Sequence, residues 1–181
     1  MTLLERAKKI KLLICDVDGV LTDGKIYTGA ELFKAFNVKD GLGIKMLLAN
    51  GIDVAILTAR SSEILKKRTQ ELGITNVLQG QRDKVLGLEQ LLSCNNLRAE
   101  EVAYIGDDLP DYAVIQAVGL AACPNNAVDE IVQVCHFQSR FNGGEGAVRE
   151  LCEALLKAQG RWEQTIEKMF LHPDPTAKHH Y

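Results

Sequence analysis

Acidic, basic and hydroxyl side chains recur along this chain in a pattern that suits chemistry on a phosphate group. Asp16 and Asp18 lie in an Asp-x-Asp-Gly turn, and Asp107 lies in a later Gly-Asp-Asp segment. Carboxylates that are brought together repel one another unless a cation lies among them, and an all-oxygen set suits Mg²⁺. Lys84 and the hydroxyl of Thr58 would add a positive charge and a hydrogen-bond donor for a phosphate. These residue types predict a site for Mg²⁺ and phosphate, in which one carboxylate attacks phosphorus.

The elements that must bring these residues together are predicted from short apolar runs that alternate with amphipathic segments. The alternation predicts an α/β fold with a doubly wound, mainly parallel, Rossmann-like sheet flanked by helices. The strand-like runs are KLLIC, IDVAILT, NVLQG, EVAYIGD, GLAAC and a short run near VCHFQ. Ligands of such sheets bind beyond the carboxyl ends of the strands. The polar residues that follow the runs are therefore expected at one edge: Asp16, Asp18, Thr58, Arg60, Lys84, Asp107, Asp108 and Asp111.

Length and composition restrict the class of protein. The chain has 181 residues, of which 46% are hydrophobic and 25% charged, as in ordinary globular domains. A formal net charge of -3 provides no broad positive surface for nucleic acid or an anionic membrane. No apolar run approaches the roughly 18 residues that cross a bilayer, and the N-terminus lacks the features of a signal peptide. We expect a cytoplasmic protein without nucleic-acid or membrane partners, with its five cysteines reduced.

Four motifs resemble those of the haloacid dehalogenase superfamily of phosphotransferases. They are DVDGV at 16–20, Thr58, Lys84 and GDDLPD at 106–111, in the family's order. The resemblance implies that Asp16 is the nucleophile and forms an aspartyl-phosphate. It also implies that Asp18 is the general acid and base, which is typical of the phosphatases of this superfamily.

The same resemblance implies the remaining roles at the site. Thr58 would bind the phosphate and Lys84 would neutralise its charge. Mg²⁺ would be held by Asp16, Asp107 and the backbone carbonyl of Asp18. Two further acidic residues, Asp108 and Asp111, either support the metal ligands or cap the helix that follows them.

The spacing of the motifs leaves no room for the cap domain that superfamily members usually insert. Only 40 positions separate Asp18 from Thr58, and 26 separate Thr58 from Lys84. Further strings, LLICDVDGVLTDGKIY, LFKAFNVKDGLGI, GITNVLQGQRDK and GGEGAVRE, resemble the phosphatases of 3-deoxy-D-manno-octulosonate 8-phosphate. This resemblance implies a small-molecule sugar phosphate as substrate and a role in lipopolysaccharide biosynthesis.

A β-hairpin is predicted over residues 24–38, where GKIYT and ELFKAFNV flank a Gly-Ala pair. Its aromatic residues Tyr27, Phe33 and Phe36 are too apolar for a free flap, so we expect them to be buried between subunits. The family resemblance implies a homotetramer that forms through the hairpins. One subunit would then help to close its neighbour's site.

Five residues are candidates for substrate contacts: Arg60, Lys34, Lys39, Asp40 and Gly144. For Arg60 the alternative is a local cap or ion pair. For Lys34, Lys39 and Asp40 the alternative is a solvated surface position. Gly144 would otherwise be part of a plain turn before the last helix.

We predict one capless phosphatase domain over residues 1–160 and a weakly ordered C-terminal tail over residues 161–181. Two positions depart from the family pattern: Ala59 replaces a glycine, and Glu145 replaces a residue that is often basic. The latter leaves the exact sugar open, with a nine-carbon sugar acid phosphate as the main alternative. The fold and motifs also allow a non-catalytic subunit, or a phosphotransferase that passes the phosphate to a second substrate.

Overall fold

A computed structural model describes residues 1–27 and 33–172. The strands are β1 (Leu12–Cys15), β2 (Asp53–Leu57), β3 (Asn76–Leu78), β4 (Val102–Ile105), β5 (Leu120–Cys123) and β6 (Phe137–Gln138). The α-helices are α1 (Leu3–Ala7), α2 (Val38–Ala49), α3 (Glu63–Leu72), α4 (Lys84–Asn95), α5 (Tyr112–Ala117), α6 (Asp129–Val132), α7 (Ala147–Ala158) and α8 (Trp162–Ile166). Short 3₁₀ turns cover Ala99–Glu101 and Leu109–Asp111, and a π-helical segment covers Glu167–Leu171.

The six strands form one parallel sheet in the order β3-β2-β1-β4-β5-β6. Each strand lies within one of the predicted apolar runs, and the predicted fold class is confirmed. The runs are continuously apolar because the central strands are covered by helices on both faces. Leu13 and Cys15 of β1 belong to a core shared with α2 and α7, whereas Leu12 and Ile14 belong to a core shared with α4 and α5.

The strand order places a topological switch point between β1 and β4. The chain builds β1, β2 and β3 in one direction, then crosses over to add β4, β5 and β6 on the other side of β1. The loops that leave β1 and β4 therefore diverge, and a crevice opens between them at the carboxyl edge. Asp16 and Asp107 follow these two strands.

The segment between β1 and α2 differs from its prediction. Helix α2 begins at Val38, earlier than the apolar pattern suggests, because the Asn37 side chain caps it by accepting the Lys39 backbone N–H at 2.8 Å. No strand occurs in residues 24–27 or 33–37, and residues 28–32, where the turn is predicted, lie outside the described residues. The hairpin stays a prediction.

Phe36 corrects one expectation about this segment. Its ring is packed against the chain's own core, with the Arg68 guanidinium 5.9 Å from the ring centroid. Tyr27 and Phe33 stack on each other with centroids 4.7 Å apart, and Phe33 is 59% exposed. The exposed apolar surface of the segment therefore includes Ile26 and Phe33 but not Phe36.

The expectation of weak order beyond residue 160 is wrong for residues 161–172. Helix α8 is tied to α2, since Asn50 donates its side-chain amide to the Thr165 hydroxyl at 2.9 Å and accepts from Arg161 at its backbone oxygen. Met169 is buried in the core. Residues 173–181 lie outside the described part of the chain, and the domain boundary at 160 stays a prediction.

Of the helices in residues 1–27 and 33–172, none has the length and apolar character that a membrane span requires.

Candidate active site

The loop after β1 is a tight turn that carries Asp16 and Asp18. The Asp16 N–H donates to the Ile105 oxygen at 3.1 Å and extends the pairing with β4 by one residue. Gly19 has a φ of +93°, and a Cβ there would lie 2.0 Å from Oδ2 of Asp107. The glycine of the Asp-x-Asp-Gly motif is thus required both by the backbone conformation and by the approach of a second carboxylate.

Lys84 forms ion pairs with two of the acidic residues, Asp16 and Asp111, from the buried side of the site. It is the first residue of α4, and its side chain is buried. Its Nζ lies 3.1 Å from Oδ2 of Asp16 and 2.5 Å from Oδ1 of Asp111. Burial disfavours the charged ammonium, but these two carboxylates outweigh that effect and raise the pKa of Lys84. Removing one member of such a buried set would leave an uncompensated charge.

Asp111 has a more central position than its two sequence-based interpretations suggest. Its buried carboxylate accepts hydrogen bonds from Lys84, from the Tyr104 hydroxyl and from the Asp107 backbone N–H at 3.0 Å. A Cβ at Gly106 would lie 2.4 Å from Cγ of Asp111, so the preceding glycine makes room for this carboxylate. Asp111 therefore joins Lys84 to the backbone that carries Asp107.

Asp108 fulfils the capping interpretation. Its Oδ1 accepts the Leu109 backbone N–H at 2.7 Å at the start of the 3₁₀ turn, and the residue is exposed. Asp108 also places a negative charge beside Asp107, which contributes to the raised pKa of Asp107.

The carboxylates at the switch point fit a divalent cation. One oxygen each of Asp16, Asp107 and Asp111 lies within 4.8 Å of the others. Burial, and then the charge of Asp111, raise the pKa of Asp16 to about 6, although Lys84 opposes the shift. Burial, Asp16 and Asp111 raise the pKa of Asp107 to about 7. A hard cation that prefers oxygen ligands, such as Mg²⁺, would remove this repulsion. The carboxylates of Asp16 and Asp107 are better placed to bind it than that of Asp111, which already accepts three hydrogen bonds.

Two residues that were predicted to contact substrate, Lys34 and Arg60, lie next to Asp18. Lys34 forms an ion pair with Oδ1 of Asp18, and Nε of Arg60 lies 4.0 Å from Oδ2. That Oδ2 is buried and accepts no hydrogen bond from the described residues. A cavity of about 390 Å³ opens beside these three residues and is walled by the stacked rings of Tyr27 and Phe33.

Thr58 lies directly after β2, beside the end of β1. The residue is buried, its N–H donates to the Leu78 oxygen at 3.0 Å and its oxygen accepts the Gln81 N–H at 3.0 Å. Its backbone is therefore fixed from both sides, and its hydroxyl accepts the Arg60 N–H at 3.4 Å. Among the described non-glycine residues only Asn96 has positive φ, so Ala59 needs none of glycine's freedom.

Asp40 is not a substrate contact. It is 1% exposed, and its Oδ1 accepts the Arg149 backbone N–H at 2.8 Å at the start of α7. Helix α7 leaves its first N–H groups without partners within the helix, and the Asp40 carboxylate from α2 satisfies one of them.

Lys39, Gly144 and Glu145 are also outside the carboxylate cluster. Lys39 is exposed and lines a separate groove beside α3. Gly144 contacts the β1 loop through its backbone, donating to the Val20 oxygen at 2.9 Å. Glu145 is exposed and accepts a hydrogen bond from the Asn142 amide at 3.1 Å.

The motifs in the sequence did not point to Tyr104. Its hydroxyl lies on the fully buried strand β4 and donates to Asp111. A tyrosine inside the apolar run VAYI was an available signal, because a buried hydroxyl needs a hydrogen-bond partner.

Comparisons with known proteins agree with this geometry. Residues 73–151 match the model of the haloacid dehalogenase-like hydrolases. The chain is 48% identical over 162 residues to the 3-deoxy-D-manno-octulosonate 8-phosphate phosphatase of Yersinia pestis, a match that covers 88% of this chain and 87% of that protein. A crystal structure of the phosphatase from that organism superposes with a TM-score of 0.87, at 48% identity over 88% of both chains. A Moraxella catarrhalis phosphatase of the same name, in complex with magnesium, phosphate and KDO, has a TM-score of 0.88, 41% identity and coverage of 90% of this chain and 95% of its own.

The raised pKa values predict how pH and Mg²⁺ affect stability. Asp16 and Asp107 have pKa values of about 6 and about 7, against an ordinary 3.8. Without metal, these two groups therefore bind more protons in the folded protein than in the unfolded chain between pH 3.8 and about pH 7. Their contribution to the free energy of unfolding therefore falls as pH rises through this interval. We expect Mg²⁺ to raise the thermal midpoint by about 3 °C more at about pH 8 than at about pH 5.

Calorimetry of the wild type and of two variants checks this expectation. Asp107→Asn should lose most of the pH-dependent part of the Mg²⁺ effect. Asp53→Asn, which changes an exposed carboxylate at the start of β2, should retain it. An equal Mg²⁺ effect at both pH values in the wild type would contradict the prediction.

Proposed function

The chain belongs to the haloacid dehalogenase-like hydrolases, and on that premise we propose that it hydrolyses 3-deoxy-D-manno-octulosonate 8-phosphate to the free sugar acid and inorganic phosphate. The observation that carries the proposal is the meeting of Asp16, Lys84 and Asp107. Nζ of Lys84 lies 3.1 Å from Asp16, and carboxylate oxygens of Asp16 and Asp107 lie within 4.8 Å of each other. A relative of this chain that binds magnesium, phosphate and KDO supports the choice of substrate.

In the first step, a carboxylate oxygen of Asp16 forms a bond to phosphorus while the bond from phosphorus to the sugar oxygen breaks. The leaving alkoxide takes a proton from Asp18. Lys84 holds the orientation of Asp16 and offsets the charge of the incoming phosphate, and the Thr58 hydroxyl donates to a phosphate oxygen. Asp16, Asp107 and the backbone carbonyl of Asp18 would hold Mg²⁺, which supplies further neutralisation of the phosphate charge.

In the second step, water attacks the phosphorus of the aspartyl-phosphate. Asp18, now a carboxylate, accepts a proton from that water, and the bond between phosphorus and Asp16 breaks. Inorganic phosphate leaves and Asp16 returns to its carboxylate form. Asp18 suits both roles because it borders the 390 Å³ cavity and lies two residues from the nucleophile.

The cavity supports a substrate that carries negative charge in addition to its phosphate. Lys34 and Arg60 both pair with Asp18, so two positive side chains border the space where a sugar would lie. A sugar-acid carboxylate would find a partner in either of them. Glu145 is engaged with Asn142 and does not line this cavity.

Loss of the nucleophile tests the mechanism. Asp16→Asn keeps the shape of the side chain but removes the attacking charge, so we expect phosphate release in Mg²⁺ to fall at least about 10³-fold. Release of inorganic phosphate is measured at saturating sugar phosphate. Asp53→Asn is the matched control and should retain full turnover. Turnover of the Asp16 variant within about tenfold of wild type would exclude the aspartyl-phosphate.

A comparison of substrates tests the identity of the sugar. We expect kcat/KM for the eight-carbon sugar acid phosphate to exceed that for its nine-carbon relative by at least about tenfold, the size of effect that one carbon produces in a fitted pocket. Phenyl phosphate serves as a control for general phosphatase activity. A preference for the nine-carbon compound would overturn the proposed substrate and leave the phosphatase mechanism intact.

We further propose a homotetramer that forms through the segment at residues 24–38. Ile26 and Phe33 of this segment are 65% and 59% exposed, and both line the 390 Å³ cavity, so they present apolar surface at its edge. Contact between segments of neighbouring subunits would bury them and help to close the cavity.

Sedimentation velocity tests the assembly. The wild type should sediment at about four times the 19.9 kDa of one chain. Ile26→Asp should shift the protein to smaller species, because a charge would replace an apolar contact. Leu86→Asp changes a residue that is 56% exposed on α4 and should leave the assembly unchanged. A monomeric wild type would contradict the tetramer.

The same proposal includes a cytoplasmic place in lipopolysaccharide biosynthesis. The substrate in the names of the relatives supports the pathway. All five cysteines are free, which suits a reducing compartment.

A further inference from the structure

A glycine turn at residues 143–146 lies directly against the β1 loop. The Gly144 N–H donates to the Val20 oxygen at 2.9 Å, and a Cβ on Gly143 would lie 1.7 Å from the Gly19 oxygen. A Cβ on Gly144 would lie 2.6 Å from the Asp23 nitrogen. Two backbones are therefore in contact along the loop that carries Asp18, and only glycine fits between them.

The first turn of α2 holds this glycine turn in place. The Asn37 side-chain amide donates to the Gly144 oxygen at 3.1 Å, while its Oδ1 caps α2. Three residues on, Asp40 accepts the Arg149 N–H at 2.8 Å where α7 begins. The start of α2 is thus hydrogen-bonded both to the glycine turn and to helix α7, which follows that turn.

Helix α2 contains two glycines that leave room for neighbouring helices. A Cβ at Gly43 would lie 3.1 Å from the Arg149 Cα, and a Cβ at Gly41 would lie 2.3 Å from Nη2 of Arg68. A glycine in a helix interior costs about 1 kcal/mol relative to alanine. Gly41 faces the side chain of Arg68 on α3, whereas Gly43 faces α7, and the close approach that Gly43 permits brings Asp40 within reach of the N-terminus of α7.

Asp40 also carries an energetic cost. Burial raises the pKa of Asp40 to about 6, even though backbone N–H groups of α7 lower it. At neutral pH the ionised carboxylate therefore opposes folding, because its folded pKa lies above its unfolded value. An asparagine at this position would avoid that cost, so stability alone does not account for the carboxylate.

We propose that Asn37 and Asp40 are positioning residues for catalysis, which act through the glycine turn to orient the β1 loop and with it Asp18. The inference rests on the proposed phosphatase activity but not on the identity of the sugar. Proton transfer to the leaving group depends on the placement of Asp18, and a misplacement of about 1 Å costs about 10²-fold in rate. The cavity residue Arg60 follows β2 and lies on neither α2 nor the glycine turn, so we expect substrate binding to be affected less than the rate.

Two conservative variants test the proposal. Asn37→Asp retains the oxygen that caps α2 and loses the amide that donates to Gly144. Asp40→Asn retains the shape of the side chain and an oxygen for the Arg149 N–H, but it removes the negative charge that faces the first N–H groups of α7. For each we expect kcat on the sugar phosphate to fall at least about tenfold while KM changes less than about threefold. The thermal midpoint of Asp40→Asn should stay equal or rise.

Asn50→Ala is the matched control. Asn50 also lies at one end of α2 and also joins it to another helix, through Thr165, but it is at the opposite end from the β1 loop. Its loss should lower the thermal midpoint and leave kcat within about twofold. An equal loss of kcat in this variant would overturn the proposal, because general loosening of α2 would then explain all the effects.

The acidity of the leaving group supplies a readout that a merely structural role would not move. p-Nitrophenolate leaves without protonation, whereas a sugar alkoxide needs the proton of Asp18. In rapid-quench measurements of the first turnover, the Asn37 and Asp40 variants should lose at least about tenfold on the sugar phosphate and less than about threefold on p-nitrophenyl phosphate. Equal losses on both substrates would overturn the proposal.

The wild type separates this proposal from the proposed function. If it hydrolyses other alkyl phosphates but not the eight-carbon sugar phosphate, only the proposed substrate fails, and the same comparison on such an alkyl phosphate decides the role of Asn37 and Asp40. If it hydrolyses no phosphate ester, both proposals fail.

Discussion

The mutual repulsion of carboxylates in a partly buried space is the interaction on which the rest of this structure depends. Asp16, Asp107 and Asp111 approach within 4.8 Å of one another at the edge of the sheet. Lys84 balances part of this charge from inside the protein, and the pKa values of Asp16 and Asp107 remain raised. Charge that the protein leaves unbalanced draws a divalent cation, and a cation among carboxylates is what a phosphate can bind against.

The backbone of the fold brings these mutually repelling carboxylates together. The switch point between β1 and β4 separates two loops enough to admit a ligand, while the parallel pairing keeps their first residues adjacent. Gly19 and Gly106 then let carboxylates approach the backbone more closely than any side chain would allow. Tyr104 and Lys84 complete the arrangement from the buried side, where their hydrogen bonds leave Asp111 a single orientation.

A second layer of contacts surrounds this centre. It contains residues that lower the stability of the fold but allow its elements to pack closely. Glycines within α2, a buried Asp40 and the glycine turn at 143–146 are each unfavourable by local criteria. Together they bring α2, α7 and the β1 loop into contact. Departures of this kind from local preference are expected where a site must be held in one arrangement.

Local chemistry explains what the sequence alone determined. Apolar continuity sufficed to predict the four central strands, because a strand that is buried on both faces has an uninterrupted run of apolar residues. Residue type, spacing and the family resemblance they carry predicted that Asp16, Lys84 and Asp107 would meet, and the structure brings these three together. Tertiary structure decided the rest: Asp111 pairs with Lys84, Asp40 bonds to α7, Phe36 packs on its own core, and residues 162–171 are helical. Each of these outcomes depends on which distant element supplies a partner for a buried group, and that is a property of packing which no local pattern contains.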